Sequence, residues 1–240
     1  MPLKYSKQIY RLYLANSLNS GLTLDLDKAT WHYLTNVLRL KNAHLLKVFN
    51  QTDGEFIAEV FYDAKRCYLL IKEQIRQAEL ARYLHLGICI VRNAIMSDII
   101  DKATQLGVTH ITPILSTYTQ NKEFAIDRYQ RIAKEASEQS NRLDVPLIQP
   151  VVKLNDFLCS VTSGLLIFAN ETEQAQDFNS ITTWPDQVWI LIGPEGGFSE
   201  LEIKEITASR LSRSVSLGPY ILRSELAAIT MLAQIALLKK

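Results

Sequence analysis

Three nearly uninterrupted apolar runs constrain the fold more than any other feature of this sequence. They occupy 83–91, 164–169 and 188–192, and each has the length of a strand buried on both faces. Helical patterns lie between and after these runs, over 97–106, 127–139, 199–210 and 224–238. Strands that alternate with helices predict an α/β domain whose parallel sheet is covered on both faces.

The first 75 residues follow a different pattern. Short strand-like segments and one helical segment, 27–37, are separated by turns, and Asp53-Gly54 is a strong hairpin signal. This pattern predicts a small N-terminal β-barrel. Residues 76–82 lack strong apolar character and mark a linker, so we divide the chain into domains at 1–75 and 76–240.

Charge is unevenly distributed between these two parts. The chain has 26 basic and 25 acidic residues, but residues 1–75 hold 10 basic and 7 acidic, a net charge of +3. A basic N-terminal surface is compatible with a polyanionic partner such as RNA, and a merely solvated surface is the alternative. The hydrophobic fraction of 48% excludes a disordered chain.

The three cysteines are widely spaced and form no CxxC pair, and the histidines show no metal-ligand spacing. Neither a metal site nor a disulfide framework is predicted. No apolar run reaches the length of a membrane span, and no export signal is apparent, so we expect a cytoplasmic protein.

A strand that enters a Gly/Pro-rich loop and then a helix is the most informative segment. It runs from Trp189 to Glu200 and contains GPEGG, and Ser199 and Glu202 have the spacing of a capping box. Ligands bind at the carboxyl ends of strands in open α/β sheets, so this loop is a predicted binding site. It matches neither GxGxxG nor the P-loop pattern. A tight turn with a packing role is the alternative.

The same arrangement recurs between Val215 and Glu225. The helix dipole favours an acid at a helix start, which gives Glu225 a structural explanation. A cation is unfavourable there, so Arg223 is the stronger functional candidate.

Together these segments resemble the RsmE family of 16S ribosomal RNA uridine N3-methyltransferases, which belongs to the SPOUT class. The matching stretches are LIGPEGGFSELEI (191–203), SLGPYILRSELAAI (216–229), DKATQLGVTHITPILS (101–116), EASEQSNRLDVP (135–146) and HYLTNVLRLK (32–41). They occur in the family's order over nearly the whole chain.

The resemblance implies a SPOUT-type parallel sheet with a C-terminal trefoil knot, and a PUA-like N-terminal barrel that holds RNA. It also implies S-adenosylmethionine (SAM) as the cofactor, a homodimer, and methylation of N3 of a specific uridine in 16S ribosomal RNA of the 30S subunit.

Loops at strand ends would hold SAM. The implied cofactor residues are Ala169, Asn170, Ile192, Gly193, Gly197, Leu217, Gly218, Ile221 and Leu222. Glycine lets the backbone approach a ligand closely. Core packing is the alternative for the apolar members of this set.

Uracil N3 carries a proton at neutral pH, so its methylation needs a base and stabilisation of the uracil anion. Glu195 and Glu225 are the candidates for the base or for positioning. Arg223 and Arg142 are the candidates for stabilising the anion. Arg142 could instead contact phosphate or pair with Glu138.

The basic residues of the N-terminal part are the predicted phosphate contacts: Arg11, Arg39, Lys41 and Lys47. The chain departs from the family pattern at Thr117, Tyr118, Tyr220 and Leu226. These departures motivate a rival hypothesis, a non-catalytic RNA-binding ribosome assembly factor on the same fold. A third hypothesis is a nucleotide-binding enzyme that uses both Gly-Pro loops for phosphate and does not need SAM.

Overall fold

The computed structural model describes residues 9–79, 82–170 and 175–238. The chain divides into two compact units. The first comprises Met1–Leu80 and Asn141–Asp144, and the second comprises Ala81–Ser140 and Val145–Lys240. No helix among the described residues is both long enough and apolar enough to cross a membrane.

A five-stranded mixed sheet forms the first unit. Its strands are β1 (Arg11–Tyr13), β2 (Thr23–Asp25), β3 (Leu45–Asn50), β4 (Gly54–Tyr62) and β5 (Cys67–Arg76), in the order β1-β3-β4-β5-β2. Helix α1 (Lys28–His32) continues into a π-helical turn over Tyr33–Val37. Asp27 caps α1 by accepting a hydrogen bond of 2.8 Å from the backbone N–H of Thr30, which confirms that the predicted helical segment begins at residue 27.

The predicted hairpin is formed by β3 and β4. Asn50 and Gly54 are paired across it, so the loop has three residues. Gly54 has a φ of +91°, and a Cβ there would lie 2.3 Å from the carbonyl oxygen of Arg76. Only glycine satisfies both the backbone conformation and this close approach. Alternate residues of β3 and β4 face a core that includes Leu46, Val48 and Phe56.

The second unit contains eight strands and five α-helices among the described residues. The strands are β6 (Tyr83–Cys89), β7 (His110–Leu115), β8 (Leu147–Ile148), β9 (Val152–Lys153), β10 (Leu165–Ala169), β11 (Gln176–Asp177), β12 (Gln187–Ile192) and β13 (Ser212–Ser216). The helices are α2 (Asn93–Gln105), α3 (Ile126–Gln139), α4 (Leu154–Ser160), α5 (Glu200–Ala208) and α6 (Ser224–Leu238).

All strand pairs of this sheet are parallel, in the order β11-β13-β10-β12-β6-β7-β8, with β9 beside β7. Two apolar clusters cover it and contain opposite faces of β6, β10 and β12. This confirms the parallel sheet predicted from the apolar runs. Because the strands are parallel, the loops after β6, β10, β12 and β13 leave from the same edge of the sheet.

Helix α2 begins earlier than the sequence indicates. The predicted helical segment 97–106 begins at Ser97, a residue type that often caps helices, but the helix starts at Asn93, and the Ser97 hydroxyl donates to the carbonyl of Asn93 within the helix. A serine hydroxyl can bond to the preceding turn as well as cap a helix, so its presence did not fix the boundary. Gly107 follows α2 with a φ of +92°, as a helix terminator should.

Candidate active site at the carboxyl edge of the parallel sheet

A cavity of about 910 Å³ lies at the carboxyl ends of the strands of the second unit. It is lined by the ends of β10 and β12, by the loops that lead into α5 and α6, and by the start of α2. Of the predicted site residues, it brings together Ala169, Asn170, Ile192, Gly193, Glu195, Gly197, Ile221, Leu222, Arg223 and Glu225. Residues from four separate segments therefore form one site.

Leu217 and Gly218 line a smaller pocket of about 100 Å³. This pocket shares Ala169, Asn170 and Leu222 with the large cavity, so the two adjoin. The predicted cofactor residues thus lie on one continuous surface.

The loop between β12 and α5, called here the first loop (193–199), is held by α5. Ser199 and Glu202 form a complete capping box, which confirms the prediction from their spacing. The Ser199 hydroxyl is 2.9 Å from a carboxylate oxygen of Glu202. Gly197 has a φ of +69°, and a Cβ there would meet no atom within 4 Å. The loop therefore adopts a backbone conformation suited to glycine and opens directly onto the cavity.

Glu202 also connects the first loop to the loop after β7. Its other carboxylate oxygen accepts a hydrogen bond of 2.7 Å from the backbone N–H of Thr117. Burial alone would raise the pKa of Glu202, but hydrogen bonds from Ser199 and Thr117 lower it below its ordinary value. The carboxylate is therefore ionised at neutral pH and ties two loops together.

The loop between β13 and α6, called here the second loop (217–223), is more exposed. Tyr220 and Ile221 are 81% and 79% exposed. The buried Ser224 at the start of α6 donates from its hydroxyl to the carbonyl of Gly193, at 2.8 Å. This hydrogen bond joins the two loops across the cavity.

Among the described residues, four ionisable side chains line the large cavity: Arg92, Glu195, Arg223 and Glu225. Glu225 lies in the first turn of α6, where the helix dipole favours an acid. The backbone carbonyl of Arg223 accepts from the N–H of Ala227, which places Arg223 at the boundary of that helix. The site thus combines two guanidinium groups with two carboxylates.

Arg92 was missed by the sequence analysis. It lies three residues after the end of β6 and directly precedes α2. The rule that identified the other loops, that ligands bind at the carboxyl ends of parallel strands, applies equally to this position. The link between this strand and helix is short and has no glycine, so the sequence pattern did not mark it as a binding loop.

Arg142 belongs to the first unit, within the segment Asn141–Asp144. Its Nε lies 3.1 Å from a carboxylate oxygen of Asp144, and its carbonyl accepts a hydrogen bond of 2.6 Å from Arg11. The role of Arg142 in stabilising the uracil anion therefore stays a prediction.

The predicted RNA contacts of the first unit differ in exposure. The Arg11 side chain is 9% exposed, pairs with the buried Glu55 at 2.6 Å and lies over the ring of Phe49. Lys47 is half-buried, with its Nζ 3.9 Å from Glu55. Arg39 and Lys41 are exposed, in the segment that follows the π-helical turn. Arg11 thus has a structural role, Arg39, Lys41 and Lys47 are the more accessible of the four, and RNA contact by each stays a prediction.

No group of three or more potential metal ligands occurs among the residues that the structure describes. His85 is buried with its ring 4.4 Å from that of Trp189. Burial and the neighbouring His110 lower the pKa of His85 to about 3. This histidine is a neutral part of the core.

Comparison with known proteins agrees with this geometry. Residues 78–236 match the model of an RNA methyltransferase domain, and residues 26–72 match that of an RNA methyltransferase PUA domain. The chain is 36% identical to the ribosomal RNA small subunit methyltransferase E of Rickettsia conorii, with 95% of each chain covered. It is 32% identical to the protein of that name from Buchnera aphidicola subsp. Schizaphis graminum, over 93% of this chain and 94% of the relative.

Two solved structures share the fold. The Neisseria gonorrhoeae ribosomal RNA small subunit methyltransferase E bound to S-adenosyl methionine has a TM-score of 0.86 and 27% identity, covering 96% of this chain and 98% of that one. A Legionella pneumophila protein with bound SAM has a TM-score of 0.88 and 26% identity, covering 97% and 98%. These matches confirm the SPOUT-type α/β fold with a PUA-like N-terminal domain, while the trefoil knot remains a prediction. The chain belongs to the ribosomal RNA small subunit methyltransferase E family.

Proposed function

We propose that this protein transfers a methyl group from SAM to N3 of a uridine in 16S ribosomal RNA of the 30S subunit. One observation carries the proposal. The consecutive segments β12–α5 and β13–α6 meet around a single cavity with Arg92, which lies about 100 residues earlier, and that cavity holds two arginines and two glutamates. Family membership supports the same reaction.

The residues present fit SAM. The cavity has a glycine-lined wall at Gly193 and Gly197 and apolar surfaces at Ile192, Ile221 and Leu222. Backbone groups that a ligand can approach closely suit the polar edges of the adenosine and methionine parts, and the apolar side chains suit the adenine ring. The bound cofactor supplies an electrophilic methyl group on a positively charged sulfur.

The chain's own residues would prepare the uracil. The N3 proton must leave before the nitrogen becomes a good nucleophile, and Glu195 or Glu225 would accept it. The resulting negative charge spreads onto the uracil carbonyl oxygens. Arg223 and Arg92 would donate hydrogen bonds to those oxygens. Donors that are already in place where negative charge develops stabilise the transition state and so lower the activation free energy of methyl transfer. The target base must be unpaired or flipped out to expose this edge.

The first unit would hold the RNA. Arg39 and Lys41 are exposed and Lys47 is half-buried, so their charges are available to phosphates. Phosphate contacts would position the RNA without reading its sequence. We also propose a homodimer, supported by the exposed apolar side chains Leu226 and Leu237 on α6, and a cytoplasmic location, where ribosomal subunits assemble.

The direct test is methyl transfer from radiolabelled SAM to bacterial 30S subunits that lack the modification. The expected result is one methyl group per subunit, identified as N3-methyluridine by nucleoside mass spectrometry. Binding of SAM, ATP and NAD is measured in parallel by calorimetry. RNA binding without methyl transfer would support the assembly-factor hypothesis, and tight binding of ATP without SAM would support the nucleotide-binding hypothesis.

A further inference from the structure

A second recess lies beside the cofactor cavity. It has a volume of about 410 Å³ and is lined by Thr117, Tyr118, Thr119, Gln120 and Gly196; it is called here the Tyr118 recess. Gly196 also lines the large cavity, so the two spaces meet at this glycine. A ligand that extends from the methyl-transfer site could therefore enter the recess.

The chemistry of the recess differs from that of the large cavity. In the part of the chain that the structure describes, its lining contains an aromatic ring, two threonines, an amide and a glycine, with no charged side chain. Tyr118 is 50% exposed, so part of its ring is available to a ligand. The side-chain amide of Gln120 is exposed and can both donate and accept hydrogen bonds. An aromatic face beside an amide suits a planar nucleobase.

The wall that carries Tyr118 is held rigidly. The Thr119 hydroxyl is buried and accepts a hydrogen bond of 2.9 Å from the Ser116 backbone N–H. The Thr117 N–H donates to Glu202, which also caps the helix that follows the first loop. A Cβ on Gly196 would come within 3.2 Å of the Cβ of Tyr118, so the two walls are in close contact. The ring is therefore presented by a preorganised loop.

We propose that the Tyr118 recess binds one nucleobase of the RNA substrate, adjacent to the methylated uridine and stacked on the ring of Tyr118. The base in the recess is bound and is not methylated, because the arginines and glutamates that the reaction needs lie in the neighbouring cavity. Tyr118 is thus a positioning residue that fixes how the RNA strand enters the site. This inference rests on the proposed function.

Kinetics with Tyr118→Leu, Tyr118→Phe and the wild type test the proposal. Tyr118→Leu should raise the KM for the 30S subunit about tenfold, within the range measured for loss of one stacked base. The KM for SAM should stay unchanged, and Tyr118→Phe should behave as the wild type because it keeps the ring. Leu147→Ala, which removes another half-exposed apolar side chain of the second unit, is the control.

A crosslinking experiment gives an independent readout. RNA fragments carry 5-iodouracil at single positions on either side of the target uridine, and irradiation couples this base to an aromatic ring stacked on it. Mass spectrometry should find Tyr118 in the crosslinked peptide for one adjacent position. The crosslink should persist with Tyr118→Phe and disappear with Tyr118→Leu.

Three outcomes would overturn the proposal. The first is an unchanged KM of Tyr118→Leu for the 30S subunit, together with no crosslink to Tyr118 in the active wild-type protein. The second is weakened SAM binding by Tyr118→Leu, which would make the loop a support of the cofactor cavity. The third is a change in oligomeric state, seen by light scattering, which would place the recess in a subunit contact. Failure of the wild type to methylate would instead contradict the proposed function, while crosslinking would still report on the recess.

Discussion

The two Gly-Pro loops of the second unit have the same sequence plan but different support. Each follows a strand and precedes a helix, and each contributes to the same cavity. The first loop is fixed by the capping box of α5 and by the bond from Glu202 to Thr117. The second loop has two large, mostly exposed side chains, Tyr220 and Ile221.

The two loops therefore differ in how far they are ordered before a ligand binds. A wall that is hydrogen-bonded before any ligand arrives pays little ordering entropy on binding, so the first loop acts as a preformed template. Exposed apolar side chains on the second loop gain stability only when a ligand or a second subunit covers them. Arg223 lies at the end of this second loop. The less constrained loop therefore supplies one of the side chains proposed to take part in the reaction.

The largest expected effect is on catalysis by the second loop. Arg223→Ala should reduce kcat about 100- to 1,000-fold, the usual cost of removing one donor to a developing anion. The measurement is methyl transfer to 30S subunits at saturating SAM. Arg210→Ala, which removes an exposed arginine from another part of the same unit, is the control. Near-normal turnover would show that Arg223 takes no part in the reaction, and that the second loop does not supply a group for it.

A smaller effect is expected on cofactor binding by the first loop. Gly197→Val should weaken SAM binding by more than about tenfold, equivalent to 1.4 kcal/mol, because the new side chain would project into the open cavity. Gly107→Val is the matched control. Gly107 also has a positive φ and open space around its Cβ position, but it lies at the end of α2 outside the cavity.

Both variants carry the same backbone strain, of roughly 1–2 kcal/mol for a left-handed residue. Both should therefore lose thermal stability, whereas only Gly197→Val should lose SAM affinity in calorimetry. Equal SAM affinities of the two variants would place the cofactor elsewhere.

The support of the first loop can be removed at Glu202. Glu202→Gln should lower the free energy of unfolding by about 1 kcal/mol at neutral pH, since the charged cap and the bond to Thr117 weaken. Chemical denaturation measures this loss. Glu205→Gln, on the exposed side of the same helix, should change stability much less.

The effect of Glu202 should depend on pH in a defined direction. Its pKa is lower in the folded protein than the ordinary value of 4.5, so its ionised form stabilises the fold above that value. The stabilisation is lost as the pH falls through the lowered folded pKa. The stability difference between wild type and Glu202→Gln should therefore shrink in acid. A difference that stays constant with pH would show that the ionised carboxylate of Glu202 does not hold the first loop.

The smallest effect is expected where the two loops meet. Ser224→Ala removes the hydrogen bond to the carbonyl of Gly193 and should lower the free energy of unfolding by about 1 kcal/mol or less. It should also weaken SAM binding slightly. Ser160→Ala removes a comparable hydrogen bond, from its hydroxyl to the carbonyl of Phe157 in α4, and should leave SAM affinity unchanged. Equal SAM affinities of the two variants would show that the bond from Ser224 to Gly193 does not support the cofactor site.

Local signals in the sequence predicted much of this molecule because the underlying physics is local. Asp27 and Ser199 mark helix starts by satisfying backbone N–H groups within three residues, and Asp53-Gly54 marks a tight turn. The apolar runs predicted β6, β10 and β12 because strands buried on both faces need no polar alternation. Ser97 misled because the same hydroxyl satisfies a different backbone group inside a helix.

Residue patterns alone predicted the parallel α/β domain, the separate N-terminal β domain and the two Gly-Pro loops, since each depends on side-chain periodicity or on nearby backbone geometry. The folded structure is needed to show which distant residues meet. It placed Arg92 in the cavity with Arg223, buried Arg11 against Glu55, and joined Glu202 to Thr117 across 85 positions of the chain. Such contacts depend on how strands are ordered in the sheet, and no local pattern of residues encodes that order.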